Sequence, residues 1–154
     1  MQESATTSEK ETHKKLAVDL FNLAWQIMDK KQRTRDETDR MIHAAHASRF
    51  HWGEIGMPKN FERGEWQISR AYTLLGRAEP ALYHARRCLE ICQENKIGDW
   101  DIAFAYEAMA RAYSVSGDKE LCKKYAIMAE EAGNQIKEKE DRDLFFSELK
   151  SLPC

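Results

Sequence analysis

The sequence predicts an all-α protein, a stack of about three antiparallel helix pairs closed by a short C-terminal helix. Three observations predict it. Apolar residues recur at helical spacing along almost the whole chain, and no stretch alternates with the two-residue period of a strand. The three prolines and seven glycines fall mostly between those periodic stretches. The segment RAYTLLGRAEPALYHARRCLEI, residues 70–91, lies without a gap over RAYSVSGDKELCKKYAIMAEEA, residues 111–132, at a constant offset of 41.

The elements follow in order. Residues 1–8 are polar, belong to no signal-like apolar stretch, and are expected to form a disordered leader before a single domain of residues 9–154. A first helix over about 9–30 carries Leu16, Leu20, Leu23 and Ile27 on one face, with Phe21, Trp25 and Met28 beside them. Thr34 with Glu37 three residues later is a capping-box pattern. It opens a second helix over about 35–52, stopped by Gly53, Gly56 and Pro58. The third helix, about 60–75, ends near Gly76; the fourth, about 79–94, holds Pro80 in its first turn, where a missing N–H costs little. The loop KIGDWD precedes a fifth helix over about 99–116, and a sixth over about 118–133 closes at Gly133. In the terminal KEDRDLFFSELKSL, Leu144, Phe145 and Leu149 are expected to cover the open end of the stack.

The offset carries specific equivalences. Arg70-Ala71-Tyr72 matches Arg111-Ala112-Tyr113, Gly76 matches Gly117, Ala85 matches Ala126 and Cys88 matches Ala129. One more step back places Ala44 and Ala47 under Ala85 and Cys88, which gives the second helix the same role in an earlier pair. This order of an aromatic residue, a glycine four positions on, and small residues where helices meet resembles the tetratricopeptide repeat. The resemblance implies a right-handed stack in which the tyrosine packs inside each pair and the glycine turns one helix into the next. It covers about 60–133 well and 9–53 loosely, and the 41-residue step is longer than the family's usual 34. The block HAAHASRFHW and the segment RGEWQISRAYTLLGRAEPALYHARRCLE also resemble a group of small bacterial proteins, a likeness that brings no activity with it.

Composition narrows the function classes. The chain has 154 residues, enough to bury a core without staples, and a formal net charge of −2. Neither nucleic acid nor an anionic membrane is an expected partner of so balanced a chain, and no apolar run approaches the roughly 20 residues that span a bilayer. Cys88 and Cys92 stand four apart on an apolar helix face, where thiols serve as small hydrophobes. With no CxxC motif, Cys88, Cys92, Cys122 and Cys154 read as free structural thiols of a cytoplasmic protein.

The stretch MIHAAHASRFHW, residues 41–52, sets three histidines close together. On a helix His43 and His46 lie about 60° apart, whereas His51 diverges from His46 by about 140°, so the three cannot close on one ion. A metal site would need His43 and His46 with a carboxylate such as Glu65 or Asp39. The favoured reading is a polar helix surface packed beside Arg49, Phe50 and Trp52. No phosphate loop, nucleophile elbow or HExxH motif is present, so catalysis is not expected.

A groove is the better candidate. In helical-repeat stacks the first helices of successive pairs line a concave, ligand-binding face. The repeat register places Arg63, Trp66, Gln67 and Arg70 there, followed by Phe104, Glu107 and Arg111 from the next pair. Arg70 and Arg111, equivalent by register, are expected to clamp a carboxylate with bidentate hydrogen bonds while the aromatic residues pack a side chain. The expected function is thus a binding module for a protein or peptide partner, without a cofactor, with pairing into a homodimer also considered. The alternative is a metal- or small-molecule-binding helical protein, enzymatic or not, built on His43 and His46.

Overall fold

The computed structural model describes residues 6–154. Seven helices follow one another: α1 (Thr7–Met28), α2 (Arg35–Ile55), α3 (Pro58–Leu74), α4 (Ala78–Glu94), α5 (Asp99–Ser116), α6 (Lys119–Gly133) and α7 (Lys139–Lys150). No strand occurs among the described residues. The helices pack as pairs, α1 with α2, α3 with α4 and α5 with α6, and the pairs stack through α2–α3, α4–α5, α1–α3 and α3–α5 contacts. The protein is an all-α stack of helix pairs, with α7 laid against α5 and α6.

Local chemistry fixes most boundaries. Thr34 and Glu37 form the reciprocal box at the start of α2, the Glu37 amide donating to Thr34 Oγ1 at 3.1 Å. A second box at Thr6 and Glu9 starts α1 at Thr7, so Thr7 and Ser8 of the expected leader are helical. Residues 1–5 of that leader lie outside the described residues. Helix α2 runs through Gly53 to Ile55, and Pro58 is the first residue of α3 instead of a break before it.

The 41-residue offset holds down to single hydrogen bonds. Tyr72 stacks on His84 at 6.1 Å and 16°, and Tyr113 stacks on Tyr125, their equivalents, at 5.6 Å and 18°. Gly76 and Gly117 both take left-handed backbone, φ 70° and 83°, where a side chain would be strained. In each turn the following amide reaches back to the tyrosine carbonyl, Arg77 to Tyr72 at 3.0 Å and Asp118 to Tyr113 at 3.1 Å. The core between α4 and α5 is built of small residues, Ala81, Ala85, Cys88, Cys92, Ala105, Ala108 and Ala112, all at most 5% exposed. Small side chains let these helices approach closely.

Helix α7 does more than close the end of the stack. Phe145 is fully buried, edge-on to Phe104 at 5.1 Å. It lies so close to Gly133 that a β-carbon there would overlap Phe145 Cε1. Leu149 is half-buried, but Leu144 is exposed and turns toward the face of the first helices. The tail then returns to α6, where Cys154 forms a disulfide with Cys122 over a Cα–Cα distance of 6.2 Å. This corrects the reading of four free thiols: two are bridged, because α7 brings the end of the chain back beside α6. Cys88 and Cys92 are free and buried, as small core residues. No helix among the described residues is long and apolar enough to cross a membrane.

Candidate functional site

The first helices of the three pairs each present a stripe of side chains at three- and four-residue spacing. From α1 come Phe21, Trp25 and Met28, with Asp29 just past its end; from α3 come Glu62, Arg63, Trp66, Arg70 and Leu74. From α5 come Trp100, Asp101 and Phe104, and α7 adds Leu144 and Glu148. Together they enclose a cavity of about 520 Å³, inside the range that takes a small molecule or a large side chain.

Its wall is a run of aromatic rings. Phe21 meets Trp25 at 6.3 Å, Trp25 meets Trp66 at 5.5 Å, Trp66 meets Phe104 at 5.9 Å, and Phe104 meets Trp100 at 6.2 Å. Most of these are edge-to-face contacts, which hold rings in place and leave apolar surface facing the cavity. Two arginines rest on the rings: Arg63 lies 4.3 Å over Trp100, and Arg70 lies 5.9 Å from the centre of Trp66.

Each arginine is already paired. Arg63 holds Asp101 with two hydrogen bonds, Nε to Oδ1 at 2.9 Å and Nη2 to Oδ2 at 3.1 Å. Arg70 donates to Glu148 of α7 at 2.5 Å and stands 3.7 Å from Glu107. Arg111 also meets Glu107, at 2.5 Å, and donates to the Glu148 carbonyl at 3.1 Å and to Ser151 Oγ at 2.9 Å. The two arginines of the repeat register therefore do turn toward one place, and the protein's own α7 supplies the carboxylate found there.

Of the seven groove residues expected from register, Arg63, Trp66, Arg70 and Phe104 line the cavity. Arg111 lies next to it, under the end of α7. Gln67 and Glu107 do not line the cavity, and both are fully buried. The Gln67 amide donates to the Phe21 carbonyl at 2.9 Å and ties α3 to α1. Glu107 lies beneath Arg70 and Arg111; burial nevertheless raises its carboxyl above the usual range against the pull of both guanidiniums.

The histidines face elsewhere. His43 is exposed, whereas His46 accepts from or donates to the Tyr72 hydroxyl at 2.9 Å and stands edge-on to His84. Glu65 is shared by Arg49 at 3.2 Å and His84 at 2.6 Å. Burial opposes ionisation of Glu65, but the hydrogen bond and charge of His84, with Arg49, hold it below the usual range. His46, His84, Tyr72, Glu65 and Arg49 thus knit α2, α3 and α4 together. His51 is paired instead with His13 of α1 at 2.8 Å. His43, His46 and Glu65 do not gather at ligand spacing.

Another set does. Among the described residues, Glu62, Cys88 and Cys92 bring an oxygen and two sulfurs within 4.8 Å of one another, all three residues buried. Cys88 Sγ donates to Glu62 Oε2 at 3.3 Å. Burial, followed by the Asp101 carboxylate and Cys92, pushes the Glu62 carboxyl up to about 10, so it keeps its proton at neutral pH. Hydrogen bonding between the two thiols, then burial, raises Cys88, while the same hydrogen bond lowers Cys92. Of this cluster Glu62 reaches the aromatic cavity, beside Asp101, which also lines it.

No family model, curated protein or solved structure matches the chain. The residues that register reasoning missed had a signal in part. One further 41-residue step back from Trp66 and Arg70 lands on Trp25 and Asp29, both at the cavity. Trp100, Leu144 and Glu148 have no such partner, because their positions depend on how α5 begins and where α7 docks.

Proposed function

We propose that the chain is a tetratricopeptide-like binding module that takes a protein or peptide segment along the face of α1, α3 and α5. One observation carries the reading: the aromatic cavity between Trp25, Trp66, Trp100 and Phe104. A well-packed protein buries such rings, and here three tryptophans from three different helices converge around space. Filling it with one large apolar side chain contributes about 1.5–3 kcal/mol, enough to anchor a peptide. Arg70 and Arg63, already oriented on the rings, would meet the polar backbone or a carboxylate beside that anchor.

A second reading is a small-molecule binder. It is favoured by Leu144 and Glu148 of α7, which wall the cavity and shorten the groove beyond it.

Selection of a displayed random-peptide library on the immobilised protein, with counter-selection on Trp66→Ala, tests the first reading. Enriched peptides should carry a large apolar anchor and should lose binding to Trp66→Ala and Trp100→Ala. Peptides that bind parent and variants alike, or a selection that enriches nothing, would overturn it. Tryptophan quenching by small apolar fragments without any peptide selection would favour the second.

A further inference from the structure

We propose that Glu62, Cys88 and Cys92 form a binding site for a zinc-type divalent cation, with Glu62 at the edge of the aromatic cavity. The three donors come from two helices. Cys88 and Cys92 stand one turn apart on α4, and Glu62 enters from α3, with its Oε2 accepting from Cys88 at 3.3 Å. All three donor atoms lie within 4.8 Å of one another, which a tetrahedral centre with sulfur ligands near 2.3 Å and oxygen near 2.0–2.2 Å can span.

The chemistry of the cluster suits a cation. Glu62 is 2% exposed, and its Oε1 makes no hydrogen bond; Arg63 Nε stands 3.8 Å away, beyond hydrogen-bond reach. The group beside it is a second acceptor, the Asp101 carboxylate. A buried carboxyl with an oxygen left unpaired is destabilising, and neither thiol relieves it. Plain core packing would place an apolar side chain here, as it does at the neighbouring Ala85 and Leu89. Two soft sulfurs with one carboxylate select zinc over magnesium or calcium, which prefer all-oxygen sites.

The charge balance is simple. The cation replaces the Glu62 carboxyl proton and both thiol protons, and three protons leave to solvent. Three protein donors leave one position open. Such a site is open in the manner of ligand-binding or catalytic zinc and not of a closed structural centre.

Cobalt(II) is the probe for the test, added to the full chain purified without reductant so that the Cys122–Cys154 bridge persists. The parent should develop a thiolate-to-cobalt charge-transfer band that saturates at one equivalent and is displaced by zinc. Replacing both Cys88 and Cys92 by serine should abolish the band, and Cys92→Ser alone should weaken it. Glu62→Gln, which keeps the shape of the protonated acid, should weaken binding and remove the zinc-induced rise in Tm. Cys154→Ser and His46→Gln should leave the band in place. Absence of a one-equivalent band in the parent would overturn the site. So would a band that survives the loss of both Cys88 and Cys92, or a zinc-induced rise in Tm that is equal in Glu62→Gln, a readout independent of whether the double cysteine variant folds.

Discussion

The Arg70 guanidinium on α3 meets the Glu148 carboxylate on α7 at 2.5 Å, joining positions 78 residues apart in the chain. The contact makes α7 an internal occupant of the face that the first helices form. Arg111 strengthens it from α5 through the Glu148 carbonyl and Ser151. Any acidic ligand at Arg70 competes with Glu148.

Glu148→Ala removes that competitor. Glu148 is partly exposed, so the lost ion pair should cost about 1 kcal/mol or less in global stability. Hydrogen exchange in α7 should accelerate, while α3 and α5 keep their protection. Peptides selected on the parent should bind the variant more tightly when they carry a carboxylate. Exchange in α7 unchanged by the substitution would show that Arg70 does not hold the helix.

The docking of α7 rests more heavily on Gly133 and on the tail. A β-carbon at Gly133 would overlap the buried Phe145 ring, so Gly133→Ala should release or shift α7 and cost about 1–3 kcal/mol as an overpacked contact. Cys154→Ser opens the bridge to Cys122 across 32 residues and should cost about 2–4 kcal/mol. Both variants should raise protease sensitivity after residue 136 and leave the helix pairs folded. Equal digestion of parent and variants would mean that α7 docks without either device.

The fold was legible for physical reasons that particular residues illustrate. The Thr34–Glu37 box and Gly76 and Gly117 act locally, through hydrogen bonds and backbone conformation, so pattern alone places them. The groove was legible only at its centre. Arg63 and Arg70 point outward from α3, but a helix face has two edges that pass under its neighbours. Gln67 lies at the edge against α1 and Glu107 at the edge against α3, which is why register put them in the groove and packing buried them. The Cys122–Cys154 bridge and the Glu62 cluster depend on where α7 and α3 settle, and no local spacing carries that information.

The repeat equivalence of Tyr72 and Tyr113 has a measurable asymmetry. Both rings stack in equivalent places, but the Tyr72 hydroxyl also bonds His46 at 2.9 Å. Tyr72→Phe should therefore cost about 0.5–1.5 kcal/mol in urea unfolding, and Tyr113→Phe almost nothing. Alanine at either position should cost more, about 2–4 kcal/mol, through lost packing of a half-buried ring. Equal costs for the two phenylalanine variants would remove the His46 bond from the account.

His46 also sets how stability responds to acid. Burial lowers its pKa below 6.5, aided by the charge of His84 and of His43 and opposed by Glu65. The folded state therefore binds fewer protons than the unfolded chain just below pH 6.5, where the unfolded imidazole is charging. In that window the slope of unfolding free energy against pH is positive: stability is full above the unfolded value and falls as pH drops below it. His51, lowered by burial and by His13, adds to the same slope. His46→Gln preserves a polar group near Tyr72 and removes the titration. Its stability should fall less than the parent's between about pH 7 and pH 5.5, with the two curves running parallel again under more acid conditions. Parallel pH curves for parent and variant would show that His46 titrates as it does in the unfolded chain, and that the contact with Tyr72 carries no charge-dependent energy.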